Sequence, residues 1–393
     1  MAGRMSLWPE CPGPVIEMTT STLTDYFPCG HAASTNWRAA AEAALAQCGA
    51  GVRGATLAFV YVTDAFADDY ADIVQFLRRR TGIAHWVGTV GVGVCASGRE
   101  YLDEPAIALL CCSLPEEAFR VFSGFKAPRD LAKGKLQCGT ATASFAIVHA
   151  DPATPSLTAL VREFAARTDS GFVVGGLTSS RGRALQYADG ATEGGLSGVI
   201  FSDEVVVATR LTQGCAPIGP KHVITDARQN IIVGLDGRPA LDVFREDIGR
   251  ELAGNLNLVA GRIFAGLPIE GSDTGDYLVR NLVGFDTTHK LVAIGEAVAS
   301  GRSIVFCRRD RGTASDDLDR MLTSIRSGLY REPKGGVYFS CLGRGASLFG
   351  ENSEELRIIR DRLGEVPVVG FFCNGEISHN RLYGYTGVLT LFM

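Results

Sequence analysis

Three separated stretches of this 393-residue sequence repeat one pattern, strand–helix–strand–strand, and no other feature restricts its fold as strongly. The first has an apolar strand at residues 57–62, then Tyr70, Ile73, Val74 and Leu77 at helical spacing. Trp86-Val87-Gly88 follows, and residues 106–110 close the unit. The second runs from residues 145–148 through a helix opened by Thr154 and Pro155, with Leu157, Leu160, Val161 and Phe164 on one stripe. It continues through residues 172–176 and ends at 197–201. The third has residues 337–341, a helix with Ser353 as its N-cap and Leu356, Ile359 and Leu363 on one face, then residues 367–372 and 386–392. A glycine marks each second strand. Continuous apolar runs suit strands buried on both faces, so each unit should hold a parallel pair joined by a right-handed helical crossover. The last strand should add antiparallel to the pair, with Val368 to Phe371 beside the closing run Val388 to Phe392.

Between the second and third units the pattern changes at Gln213-Gly214-Cys215-Ala216-Pro217. Residues 222–226 and 230–235 read as strands, Asp236-Gly237 as a tight turn, and Pro239 as the start of a helix carrying Leu241, Phe244, Ile248 and Leu252. A hairpin is expected across Asp286-Thr287-Thr288-His289. The class is therefore α/β of the mixed α+β kind. Repeated strand–helix–strand–strand units form mixed sheets flanked by helices, with an antiparallel β-rich section in the middle. The expected division is an irregular arm at 1–30, one domain at 31–213 and another at 214–393. Residues 36–47 read as an alanine-rich helix, 101–110 as one strand, 114–139 as a polar connection, and 205–211 as a further strand.

Composition narrows the function. The net charge of −5 is spread without acidic or basic blocks, which argues against a nucleic-acid partner. Arg78-Arg79-Arg80 and Arg308-Arg309 are the densest basic runs, and the first suits a helix C-terminus. No run of eighteen apolar residues exists, so no membrane span is expected, and residues 1–18 lack the apolar region of a secretory signal. The 11 cysteines have neither CxxC pairing nor zinc spacing, which suits reduced thiols in a cytoplasm. The glycine-rich run at 88–93 is not followed by a helix, no Gly-Lys-Ser/Thr occurs, and Gly-x-Ser-x-Gly is absent. Nucleotide and hydrolase readings fall with them.

Ligands of α/β units gather where strand C-termini leave backbone groups free. In the third unit Cys341, Gly343, Arg344 and Gly345 follow the first strand, and Cys373, Asn374, Gly375 and Glu376 follow the second. Gly343-Arg344-Gly345 can fold as a backbone nest under a guanidinium, suited to a carboxylate. Glu376 can pair an ammonium, and Asn374 can donate and accept. Together they match a zwitterion such as an amino acid. Thr178 and Ser179 end the matching strand of the second unit. Competing readings are structural: an Asn374-Gly375 turn, a surface salt bridge at Arg344, a Thr178-Ser179-Ser180 cap, and buried thiols at Cys341 and Cys373. A thiol-dependent enzyme would use Cys373 or Cys341 as nucleophile with His149 or His379 as base.

Residues 230–245, with Leu235-Asp236-Gly237-Arg238-Pro239-Ala240-Leu241-Asp242-Val243, resemble the start of the FIST C-terminal domain. Residues 367–377 and Leu382-Tyr383-Gly384-Tyr385-Thr386 resemble its end, and residues 55–201 are similar to the FIST N-terminal domain. The resemblance spans roughly residues 30–392. It implies a cytoplasmic sensory domain for small ligands, with amino acids proposed for the family and haem reported for some members. FIST domains are often fused to output domains; none is visible here, so a signal is expected to pass to a separate, unknown protein partner. Where the N-terminal domain often has a polar turn ending in Gly-Glu-Ile, this chain has Thr89-Val90-Gly91-Val92-Gly93-Val94. No Cys-x-x-Cys-His occurs, so no cofactor is expected, and haem stays as the alternative of a gas sensor through His149.

Overall fold

The computed structural model describes residues 26–131, 133–269 and 277–393; most of the expected N-terminal arm, residues 1–25, lies outside them. Each unit builds a parallel strand pair around its helix. Leu57–Thr63 pairs with His85–Gly91 across the helix Tyr70–Thr81, and Phe145–Ala150 with Phe172–Leu177 across Leu157–Ala165. Gly335–Cys341 pairs with Val368–Cys373 across Glu354–Leu363. The closing strands Ala106–Cys112, Leu196–Phe201 and Thr386–Phe392 run antiparallel.

The expected position of the closing strand needs correcting. Residues 386–392 pair with the first strand, Gly335–Cys341, and not with Val368–Cys373. The physical reason lies in the segments between each unit's second strand and its closing strand. Each of them is a hairpin, and each fills the free edge of a second strand in a different unit. The first unit's hairpin, Gly93–Ala96 with Arg99–Leu102, pairs with Val368–Cys373 of the third. The second unit's hairpin, Leu185–Ala188 with Ala191–Glu193, pairs with His85–Gly91 of the first. The third unit's hairpin, Glu376–Ser378 with Arg381–Tyr383, pairs with Phe172–Leu177 of the second. The exchange closes a circle. With the outer strands Cys29–Ala33, Phe119–Phe125 and Val207–Gln213, it gives three six-stranded sheets of identical order.

Two further expectations shift. Residues 114–139 hold the strand Phe119–Phe125, and residues 101–110 are split by a turn with Asp103 at positive φ. The inner faces of the sheets share one core that includes Phe59, Tyr61, Ile147, Val337, Phe339 and Phe371. Each outer face packs its own helices, which explains why the strands read as unbroken apolar runs. The glycine of each second strand has a direct cause. Gly88, Gly175 and Gly370 lie opposite Val60, Val148 and Tyr338 in register. A Cβ there would sit 1.7, 1.8 and 1.7 Å from those residues' carbonyl oxygens.

The middle section leaves the third sheet after Val207–Gln213 and returns at the helix Arg311–Ser327. Six antiparallel strands there pair in a closed ring: His222–Arg228, Ile231–Leu235, Leu291–Ile294, Tyr277–Asp286, Ile263–Pro268 and Ser303–Arg308. The helix Ala240–Gly254 carries Leu241, Phe244, Ile248 and Leu252 into its core, and breaks at Gly249 where φ is 77°. No helix among the described residues is long and apolar enough to cross a membrane.

Candidate functional site

The fifth residue of each first strand points to the common centre. Tyr61, His149 and Phe339 meet edge to face, with centroids 5.5, 6.2 and 6.4 Å apart, and Phe371 stacks beneath Tyr61 at 5.4 Å. The Tyr61 hydroxyl lies 3.2 Å from His149 Nε2. Burial pushes His149 down to about 3 and Tyr61 well up, so both are neutral near pH 7. His149 is wholly buried among these rings, with its Nδ1 unpartnered among the described residues.

The third unit holds a second polar centre, and here the expected residues come together. The backbone turn after Gly335–Cys341 does cradle a carboxylate under a guanidinium, but the carboxylate is the protein's own. Glu355 accepts from Arg344 Nε at 2.7 Å and from the Gly345 amide at 2.9 Å. Tyr338 and Ser340 donate to it as well, at 2.6 Å and at 3.2–3.3 Å. Arg344 and Glu355 are wholly buried side chains. The neighbouring helix start differs from expectation: the Ser353 hydroxyl accepts from the Glu100 amide and leaves its own helix uncapped.

Arg344 is only half used. Its Nη1 and Nη2 are buried without a hydrogen-bond partner among the described residues. Glu376 is buried too, with Oε2 accepting from the Thr386 hydroxyl at 2.7 Å and amide at 3.1 Å and the Cys341 thiol also acting on the carboxyl, while Oε1 lacks a partner at hydrogen-bond distance among the described residues. Burial pushes Glu376 up to about 8, against the pull of Thr386 and Arg344. The Cys341 thiol lies beside it. Two residues that the sequence reading did not count among the site candidates, Arg309 and Tyr385, complete the surroundings. Arg309 has Nε and Nη2 buried without a partner among the described residues and its guanidinium 5.4 Å from the Tyr385 ring. Their signal was the Arg308-Arg309 run and the Tyr383-Gly384-Tyr385 segment, but their meeting across 76 residues was not legible. Gly214 and Gly343 let these side chains approach: a Cβ at 214 would lie 3.3 Å from Arg344 Nη1, and one at 343 would lie 3.5 Å from Arg309 Nη2.

The other expected residues serve seams between units. The Thr178 hydroxyl meets that of Thr89 at 2.8 Å. Ser179 donates to the Phe372 carbonyl at 2.5 Å and accepts from the Val92 amide at 2.9 Å, so one side chain touches all three units' second-strand ends. Asn374 and Gly375 exchange backbone hydrogen bonds with Leu177 at 3.0 and 2.8 Å, and the Asn374 side chain is exposed. Burial pushes Cys341 up to about 12 and Cys373 well above the ordinary thiol range, which leaves neither poised as a thiolate. His379 sits apart from both, on the rim of a groove of about 830 Å³ lined by Phe145, Phe172, Val205 and Leu211.

Among the described residues no cluster of His, Cys, Asp and Glu could hold a metal ion. The arrangement can hold charge: a fixed guanidinium with two free nitrogens near a carboxyl that carries its proton at neutral pH.

Comparison with known proteins places this geometry in context. The FIST N domain matches residues 56–238 and the FIST C domain matches residues 240–379. The chain is 31% identical over 371 residues to the uncharacterized protein Rv0628c of Mycobacterium tuberculosis, covering 91% of this chain and 96% of the relative. It is 28% identical over 351 residues to the uncharacterized protein Mb0898c of Mycobacterium bovis, covering 86% and 90%.

Proposed function

The chain belongs to the FIST family, whose domains are associated with small-ligand sensing, and from that premise we propose that it is a cytoplasmic sensor for an amino acid or similar zwitterion. The ligand carboxylate sits on Arg344 Nη1 and Nη2, its ammonium on Glu376 Oε1, and the bound state is read by a separate output protein. The observation that carries this reading is the set of orphaned polar atoms. Buried donors and acceptors left unpaired cost about 1–3 kcal/mol each, more when charged, and a ligand of matching charge removes that cost. Glu355 supports the reading by fixing the guanidinium through Nε and leaving the other edge free. Neither a resident cofactor nor thiol catalysis is part of it.

Glu376 gives the proposal a signature. Its proton is held to about pH 8 without ligand, so an arriving ammonium displaces it. Calorimetric titration with an amino-acid panel, repeated in buffers of different ionisation enthalpy, should show about one proton released per ligand at neutral pH. Glu376→Gln should abolish the release and weaken binding. Arg344→Lys, which keeps a cation against Glu355, should weaken binding about tenfold by losing the two-nitrogen fork. A panel in which no amino acid binds, or binding without proton release, would sink the reading.

A further inference from the structure

Arg309 comes to the site from the inserted ring of strands. Its backbone stands at the end of Ser303–Arg308, on a cleft of about 540 Å³ beside the broken helix at Gly249. Arg250, Arg262, Arg308 and Arg309 line that cleft against Glu251 and Asp310. With the Arg309 side chain turned inward, three arginines against two acidic residues leave the mouth positive, and a concave surface of one sign concentrates anions. The Arg309 side chain then runs inward along the Tyr385 ring, placing Nη2 beside Gly343, the residue next to Arg344. Tyr385 joins the two cations. Its ring faces Arg309, while its carbonyl accepts from the Gly214 amide at 3.0 Å, next to Arg344 Nη1.

One buried guanidinium, Arg344, and one half-buried guanidinium, Arg309, therefore flank one tyrosine, each with two buried nitrogens that have no partner among the described residues, and of the two only Arg344 is paired with a carboxylate there. One ligand carboxylate satisfies one of them. We propose that the ligand carries a second carboxylate, received by Arg309, so that the site selects a dicarboxylic amino acid of the aspartate–glutamate class drawn in through the arginine-lined cleft. This rests on the zwitterion reading above and narrows it. The α-carboxylate takes Arg344, the ammonium takes Glu376, and the side-chain carboxylate takes Arg309 Nε and Nη2.

The test is calorimetric titration of the whole chain with aspartate, glutamate, asparagine, glutamine, alanine and succinate, on wild type and Arg309→Gln, with thermal melts of both. The acids should bind about ten- to a hundredfold more tightly than their amides, the range of one charge-assisted contact. Added salt should weaken the acids more than alanine. In Arg309→Gln the advantage of the acids over their amides should be lost. Amides that bind wild type as well as the acids overturn the dicarboxylate inference and leave the zwitterion site standing; that comparison needs no variant, so a misfolded Arg309→Gln would not spoil it. An equal loss for every ligand in a folded Arg309→Gln also overturns it. Succinate binding above the amino acids would refute the ammonium contact while keeping the two cations. No binding by any of the six would overturn both readings.

Discussion

Glu376→Gln offers the sharpest check on the buried polar centre, because it changes one ionisable group and almost no volume. In the native chain burial holds this carboxyl up to about 8, against an ordinary 4.5. The unfolded chain therefore loses the proton near pH 4.5 while the folded chain keeps it to about 8. Across that window the folded state binds the extra proton, so stability is greatest below pH 4.5, falls as pH rises, and levels off above 8. The limiting slope is about 1.4 kcal/mol per pH unit, so the wild type should lose on the order of 2–3 kcal/mol relative to the glutamine variant between pH 5.5 and 7.5. Glutamine does not titrate, and its oxygen still accepts from Thr386 in place of Oε2. Urea unfolding of both proteins at four pH values across this range gives the difference directly, because other titrating groups cancel. Parallel stability curves, differing by less than about 0.5 kcal/mol over the window, would mean that Glu376 is ionised in the folded state. The proton-release signature would then be lost with it.

Arg344→Ala should cost about 3–5 kcal/mol, since it strands the buried Glu355 carboxylate with three neutral donors; replacing both residues by apolar ones should restore much of the loss in a denaturation series. Gly370→Ala should destabilise by about 3 kcal/mol or more, because a Cβ 1.7 Å from the Tyr338 carbonyl forces two paired strands apart; thermal melting reads this, with Gly237→Ala in an open turn as the milder comparison. Cys373 should resist iodoacetamide in the native chain and react on unfolding, since burial holds its thiol protonated; rapid native alkylation, followed by peptide mass spectrometry, would revive the thiol-enzyme reading.

The local pattern carried far in this chain. Residues 70, 73, 74 and 77, or 157, 160, 161 and 164, occupy one helical face whatever surrounds them, and unbroken apolar runs such as 368–372 can only be strands covered on both sides. Those regularities are short-range, so the crossover helices, the parallel pairs and the antiparallel middle were legible. Even the carboxylate cradle at Gly343-Arg344-Gly345 followed from backbone and side-chain chemistry. Its occupant did not. Glu355 lies on the solvent-facing reading of an ordinary charged helix, and only the packing of that helix against Gly335–Cys341 turns it inward. The hairpins at 93–102, 185–193 and 376–383 are short and mixed in polarity, and each finds its partner in another unit. No periodicity within the segment records which distant edge it will cover. The same holds for Arg309 and Arg344, each unremarkable beside its neighbours in the chain. They come close only because the inserted ring of strands hands the chain through Arg309 to the helix Arg311–Ser327 beside the third sheet, and burial of those atoms, not residue type, is what leaves their nitrogens in want of a partner among the described residues.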